Sequence, residues 1–431
     1  MPPVGAIVTI TLFVLISAFS LAARVCIPHP YHLVWTPTEP FVNLANVRNG
    51  ILPMRIVIVG AGPAGLYLSL LLKRSGLDIS LDVIEQNAPD STFGFGVVFS
   101  EDALEFLKED DPAIFNAITP ELERWKGIAI HHRGETVMLD GIGFTAIGRL
   151  HLLQLLQKQV RDEGIAVTFN HPVTDLAEFT DADMIVGADG VSSLVRRSDK
   201  ATFGASISYL TNRFAWFGTT KVFDTLSQTF LDTPHGPVNA HHYRYSPTMS
   251  TFLVECGERT FFDSGFDAMT EDETRIALER IFAQTLDGHP LISNRSIWRQ
   301  FPIIHNERWS AGNKVILGDA LHTAHFSIGS GTRLAIEDAI ALARAIKANP
   351  DDAKAAMAAY EAQRKPILDK LVKAANASAQ WYENFGTQMA LPPYDFAMSY
   401  LSRTGRMDIE RIRKVAPQFV AEWERRRQGA A

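Results

Sequence analysis

The sequence predicts an α/β fold: a Rossmann-like domain carrying an inserted mixed or antiparallel β-sheet, with helices at the carboxyl end. Three observations predict it. A short β-rich run, Ile56–Val59, leads directly into a glycine turn and an apolar helix. Between Phe214 and Cys256 the texture becomes alternating and aromatic-rich, as in Tyr243-Arg244-Tyr245, which suits antiparallel strands. From Asp352 onward the chain reads as mostly helical and increasingly charged.

The elements follow in order. Ile56–Val59 has no polar position, as in a strand buried on both faces. Leu66–Arg74 reads as a helix that stops at Gly76. Leu81–Ile84 is a second strand ending in Glu85. Arg149–Glu163 is helical, with Leu152, Leu153, Leu156 and Val160 on its apolar face. Met184–Val186 and Val315–Leu317 are further buried strands, and Leu334–Ala348 is an Ala/Ile-rich helix.

Composition narrows the function. With 46% hydrophobic and 21% charged residues, the 431-residue chain can fill a large core, so it is neither disordered nor fibrous. A net charge of −7 argues against a nucleic-acid partner. Cys26 and Cys256 can form neither a disulfide framework nor a four-ligand zinc site. A reducing, cytoplasmic setting fits them best. Residues 1–53 hold three charged side chains, Arg24, Glu39 and Arg48. That extension reads first as a start-site artefact ahead of Met54, then as a membrane anchor over Val4–Ala23, and last as a cleaved signal.

Three motifs carry chemistry. Gly60, Gly62 and Gly65 form G-x-G-x-x-G, with Ala64 inside it, between a strand and a helix. The glycines permit a tight turn, close approach of a pyrophosphate and close helix–strand packing. The helix amino terminus then offers unpaired N–H groups to the phosphates. Glu85, at the end of the next strand, can accept the two ribose hydroxyls of an adenosine. The second motif is a buried strand running into Asp189-Gly190, with Ser193 and Arg196 behind it. The third is Gly318-Asp319, followed by the Gly329-Ser330-Gly331 loop. Each of the last two, alone, is equally an ordinary turn.

All three in this order resemble the flavin-dependent aromatic hydroxylases of the para-hydroxybenzoate hydroxylase fold. Arg149, Leu152 and Leu156 resemble that family's R-x-x-L-x-x-x-L helix, and Tyr360, Arg364 and Pro366 its Y-x-x-x-R-x-P stretch. Thr92–Ser100, Tyr243–Phe252, Val254–Cys256, His322–Thr332 and Tyr400–Arg406 are most similar to a subgroup acting on aryl-CoA thioesters. That subgroup holds the salicylyl-CoA 5-hydroxylases and the monooxygenase part of anthraniloyl-CoA monooxygenase, with violacein-pathway hydroxylases more distant. The resemblance implies a glutathione-reductase type FAD-binding domain at 54–210 and 311–350. It implies a substrate-binding sheet at 211–310 and a helical region at 351–431.

It also implies non-covalent FAD, reduction by NADH or NADPH, and O2 as co-substrate, with an aromatic ring hydroxylated through a flavin C4a-hydroperoxide. Gly60, Gly62, Ala64, Gly65, Glu85, Arg149, Asp189, Gly190, Gly318, Asp319, Gly329 and Gly331 would bind cofactor. No metal is expected, no membrane is expected for the catalytic part, and an oligomer stays open. His325, ahead of His322 and Tyr245, is the candidate catalytic group, and for each histidine the alternative is a structural residue making one backbone hydrogen bond. Phe326 stands where the family has a proline whose carbonyl helps hold the peroxide proton. The CoA phosphates would call for a basic patch, which the tail offers from Arg403 to Arg427, mixed with Asp408, Glu410, Glu422 and Glu424. Two other readings compete: a hydroxylase of an indole-derived metabolite, and a membrane-associated flavoprotein electron carrier.

Overall fold

A computed structural model describes residues 53–429. The expectations for the amino-terminal extension fall on 1–52, outside the described residues. Six strands make the first sheet: β1 (Met54–Val59), β2 (Ile79–Ile84), β6 (Val167–Thr168), β7 (Met184–Gly187), β14 (Ser310–Ala311) and β15 (Lys314–Ile316). Their order is β14-β15-β7-β1-β2-β6, parallel throughout except for the β14 edge. Helix α1 (Pro63–Arg74) makes the crossover from β1 to β2. It begins inside the glycine turn, three residues earlier than its apolar run suggests. Pro63 at the first helical position explains this, because its fixed φ suits a helix start that needs no N–H.

The second sheet has nine strands: β3 (Gly96–Ser100), β4 (Glu123–His132), β5 (Glu135–Gly148), β8 (Ser206–Thr219), β9 (Leu226–Thr233), β10 (Gly236–Ser246), β11 (Met249–Cys256), β12 (Leu291–Ile292) and β13 (Arg299–His305). Its path is β12-β8-β11-β10-β9-β4-β5-β3, with β13 also on β8. All pairs are antiparallel except β4 with β9. The sheet therefore draws three strands from residues 96–148, well outside the expected 211–310. Those strands are broken by Gly96, Gly127, Gly141 and Gly143, so no clean alternation marks them in the sequence.

Five further helices matter here: α2 (Arg149–Asp162), α3 (Gly331–Ala348), α4 (Ala353–Glu383), α5 (Pro393–Ser402) and α6 (Pro417–Gly429). One apolar core packs α1, α2, α3 and the start of α4 on the parallel sheet. A second lies between β4, β5 and the carboxyl-terminal helices, through Trp125, Ile130, Phe396 and Phe419. A third covers the far face of β8, β10 and β11. Strand alternation sorts β10: Val238 and Ala240 enter the third core, while Asn239 and His241 face the other way. Among the described residues no helix is long and apolar enough to cross a membrane.

Candidate active site

The first two motifs and Arg149 meet at one cavity of about 390 Å³ at the carboxyl ends of β1, β2 and β7. Gly60, Gly62, Glu85, Arg149, Asp189 and Gly190 all line it. Ligands of open α/β sheets bind at this edge. The glycines divide the labour. Gly60 sits at φ +105°, and a Cβ there would lie 2.3 Å from the Ala188 carbonyl oxygen. A Cβ on Gly65 would lie 2.0 Å from the Gly60 carbonyl oxygen. Gly62 has nothing within 4 Å of where its Cβ would stand, so its face of the turn is left open to the cavity.

Glu85 is held by the turn itself. Its Oε2 accepts the Ala61 N–H at 2.9 Å, and its Oε1 accepts the Asn87 N–H at 2.9 Å and Asn87 Nδ2 at 2.7 Å. Asp189 accepts the Leu194 N–H at 2.6 Å and the Val195 N–H at 3.2 Å through Oδ2. Its Oδ1 is buried and, among the described residues, has no hydrogen-bond partner. Burial pushes this carboxyl up, against the pull of Ser193 and those N–H groups. Arg196 is spent inside the protein, on the carbonyls of Ala320 and Val191.

Arg149 opens α2 and leans toward the third motif. Burial lowers its basicity, while Asp319 and Tyr243 support its charge. Asp319 is exposed to solvent, yet protein atoms crowd it enough to push its carboxyl up, with His322 and Arg149 pulling the other way. Gly318, at φ +57°, sits beside Ala64 and Ala335, so the third motif abuts the first turn of α1. Ala64 and Gly65 pack beneath the cavity rather than lining it. Gly329 adopts φ +58° against Val98 of β3, and Gly331 starts α3; both lie away from this cavity, along the loop that faces the nine-stranded sheet.

An adenine dinucleotide fits these residues: a glycine cradle and, for the diphosphate, an arginine whose side chain forms no hydrogen bond or ion pair among the described residues, with the orphaned Asp189 oxygen free to accept from a hydroxyl.

The three candidate catalytic residues have different surroundings. His322 is buried, and its Nε2 lies 2.7 Å from Asp338 Oδ2. Arg364 donates to Asp338 Oδ1 at 2.8 Å and pairs with Glu337 at 2.9 Å. Burial would raise the Asp338 carboxyl, but His322 and Arg364 together hold it below the usual range. This trio bolts α4 to α3. Tyr245 packs between Gly96 and Gly148, next to the start of α2, and burial pushes its phenol up. His325 is 2% exposed, among the rings of Phe301, Phe326 and Tyr382. Burial pulls its imidazole down to about 4.

Phe326 replaces rigidity of one kind with another. Its carbonyl accepts the Gly329 N–H at 3.0 Å, and its ring is held by Phe214 and His241 at centroid distances of 5.1 and 5.2 Å.

Sequence reasoning missed a buried polar cluster on the sheet face beside His325. His241 Nδ1 meets Gln228 at 2.9 Å, and Tyr382 donates to Gln228 Oε1 at 3.2 Å. Glu255 Oε1 accepts from Asn212 at 2.8 Å, while Glu255 Oε2 lies 3.5 Å from His241 Nε2. Burial pulls His241 down to about 3 and pushes Glu255 up. The signal was present: Glu255 is an acid in the apolar run Phe252–Cys256. The adjacent histidines His131-His132 and His241-His242 face opposite sides of their strands. His131 stacks on His242, while His132 packs on Phe396 and His241 on Tyr382.

Part of the basic tail is neutralised by ion pairs. Arg413 pairs with Glu410 and Glu424, Arg425 with Glu422, and Arg426 with Glu422 and Glu135. Arg403 turns inward. Of these ion pairs Arg413–Glu424 joins two helices and Arg426–Glu135 joins α6 to β5, while the rest lie within one helix.

A family model described as an FAD binding domain matches residues 54–174 and 154–375. The chain is similar to salicyloyl-CoA 5-hydroxylase of a Streptomyces species, 39% identical over 81% of this chain and 70% of that one. It is similar to 3-hydroxy-4-methyl-anthranilyl-[aryl-carrier protein] 5-monooxygenase of Streptosporangium sibiricum, 37% identical over 76% of this chain and 89% of that one. Its fold is that of 2-methyl-3-hydroxypyridine-5-carboxylic acid oxygenase, with TM-score 0.61, 16% identity, and coverage of 84% and 96%.

Proposed function

This chain belongs to the FAD-dependent aromatic monooxygenases, which use NAD(P)H, and on that premise we propose that it hydroxylates an aromatic ring carried as an aryl thioester, with a salicylyl-like CoA ester as the leading substrate. The observation that carries the substrate is the 39% identity over 81% of the chain to a relative named for such an ester. A second relative is named for an aryl group on a carrier protein, which keeps the aromatic acid on a carrier in both cases.

The chain's own residues would divide the work by region. The Gly60–Gly65 turn and the start of α1 would receive the FAD pyrophosphate, with Arg149 balancing its charge. Glu85 would accept the adenosine ribose hydroxyls, and Asp189-Gly190 would shape the cavity wall. Gly318 and Asp319 would continue the site toward the ring, where Gly329 and Gly331 would let backbone N–H groups come close. When bound and reduced, the flavin supplies the oxygen-activating chemistry. Phe214, Phe301 and Phe326 would then keep water from the reacting edge.

The test is NAD(P)H oxidation by the yellow protein with salicylyl-CoA, anthraniloyl-CoA, benzoyl-CoA and an indole. Acceleration by an aryl-CoA with formation of its hydroxylated ester is expected. Acceleration by the indole alone would move the substrate to the competing class.

A further inference from the structure

His325 is wired to the carboxyl-terminal region by a chain of side chains. Its Nδ1 lies 2.8 Å from Ser327 Oγ, Ser327 Oγ lies 2.8 Å from Ser378 Oγ, and Arg403 Nε donates to Ser378 Oγ at 3.0 Å. Ser378 is fully buried on α4, and Arg403 follows α5. The other guanidinium nitrogens are occupied too. Nη1 donates to the Tyr400 carbonyl at 2.7 Å and Nη2 to the Ser327 carbonyl at 2.9 Å.

The direction of this chain follows from donor inventory. A guanidinium can only donate. Ser378 Oγ therefore accepts from Arg403, but its second lone pair leaves the direction between the two serines to be set from the other end. The Ser327 backbone N–H, also donor only, points at His325 Nδ1 at 3.4 Å. A ring nitrogen that accepts this N–H carries no proton, so the proton of the neutral ring sits on Nε2; Ser327 Oγ then gives its one hydrogen to Nδ1 and accepts that of Ser378, which accepts from Arg403.

We propose that Arg403 is a positioning residue which, through Ser378 and Ser327, fixes His325 as the neutral Nε2–H tautomer, so that His325 serves the site as a hydrogen-bond donor and not as a base. Protonating Nδ1 would set its N–H against the Ser327 backbone N–H and turn both serine hydroxyls, taking from the Ser378 hydrogen its Ser327 acceptor. The charged groups around the ring are Glu255 on β11, His241 on β10, Tyr382 on α4 and Arg403 itself. Glu255 alone favours a charged imidazole; burial, His241 and Arg403 oppose it. The tautomer is independent of the substrate proposed above. Only the use of its N–H on an oxygen of substrate or cofactor rests on that reading.

Nitrogen-15 NMR of the FAD-loaded protein without substrate tests it, with the His325 signals identified by their loss in His325→Gln. Wild type is expected to show Nε2–H and a bare Nδ1 near neutral pH. Ser327→Ala is expected to shift the tautomer ratio toward Nδ1–H by about fivefold, the worth of one net hydrogen bond. Ser378→Ala should shift it less, and Arg403→Met less again, while Arg403→Lys restores a donor and the wild-type pattern. Should Arg403→Met fail to fold, the buried Ser378→Ala variant decides alone. A wild-type ring protonated on Nδ1 would overturn the proposal. So would a Ser378→Ala spectrum identical to wild type. Failure of every aryl-CoA as substrate would leave these spectra unchanged, so the two readings fail separately.

Discussion

The cofactor cavity and the buried polar face of the nine-stranded sheet are built on opposite plans. The cavity is made by backbone. Its tight places are turns, and its charged residues hold those turns: Glu85 takes two main-chain N–H groups, and Asp189 takes two more. The sheet face is made by side chains from four neighbouring strands, with Asn212, Gln228, His241 and Glu255 each supplied by a different one. A backbone site tolerates little change in chain geometry. A side-chain site in a dry core tolerates little change in charge. The variants that follow strain that contrast, in order of expected effect.

Removing a charge from the buried ties should cost most. Asp338→Ala leaves Arg364 and His322 facing an uncompensated gap, and about 3–5 kcal/mol of stability should be lost in urea unfolding. A loss as small as that of a surface ion pair would mean these buried charges are not coupled.

Acid should separate the two plans next. His241 and His325 have folded values of about 3 and about 4, below the ordinary imidazole value of 6.5. Between 6.5 and those values the unfolded chain binds more protons than the folded one, so stability falls as pH drops. The expected slope is about 1.4 kcal/mol per pH unit for each ring. Glu255, whose folded value is raised, opposes this above its ordinary 4.5, because there the folded state binds the extra proton. Glu255→Gln should therefore steepen the loss of stability between pH 6.5 and 4.5. An unchanged slope would separate Glu255 from the histidines.

Arg149→Met should weaken FAD binding by about 10–100-fold, the worth of one charge-assisted contact of ~1.5–3 kcal/mol, with melting of the flavin-free protein nearly unchanged. Flavin fluorescence on titration reads the first and calorimetry of the apoprotein the second.

The glycines give the smallest and sharpest comparison. Gly65→Ala, with its Cβ 2.0 Å from a carbonyl, should lower apoprotein stability by about 1–3 kcal/mol. Gly62→Ala, with open space around its Cβ, should leave apoprotein stability within about 0.5 kcal/mol and act on FAD affinity alone. Equal destabilisation by both would remove the distinction between a packing glycine and a ligand-facing one.

The same contrast explains what was legible. Gly60, Gly62, Glu85, Arg149 and Asp189 could be read because a turn, a cap and a strand end are local, and local geometry leaves fixed spacings. They do converge on one cavity. His322 and His325 could be named as candidates, but not told apart. Their partners, Asp338 and Arg364 for one and Ser378 and Arg403 for the other, lie 16–78 residues away. Glu255 stood out as an acid in an apolar run, but its partners could not be read, since strand pairing and not spacing joins β8, β9, β10 and β11. The reach of the sheet was misjudged because glycines interrupt the pattern of β4 and β5.

The parallel pairing of β4 with β9 also has a consequence for how the chain is born. It joins residues 128–132 to 226–230, so the edge of β4 waits for a partner synthesised 98 residues later. At ordinary rates of translation that is about 5–20 s. During that time the nascent chain presents an unpaired strand edge, the kind of surface that invites pairing between molecules. Such a non-local contact also slows the closing of the sheet. Overexpression that outruns this step would trap material with β4 uncovered, whatever the stability of the finished enzyme.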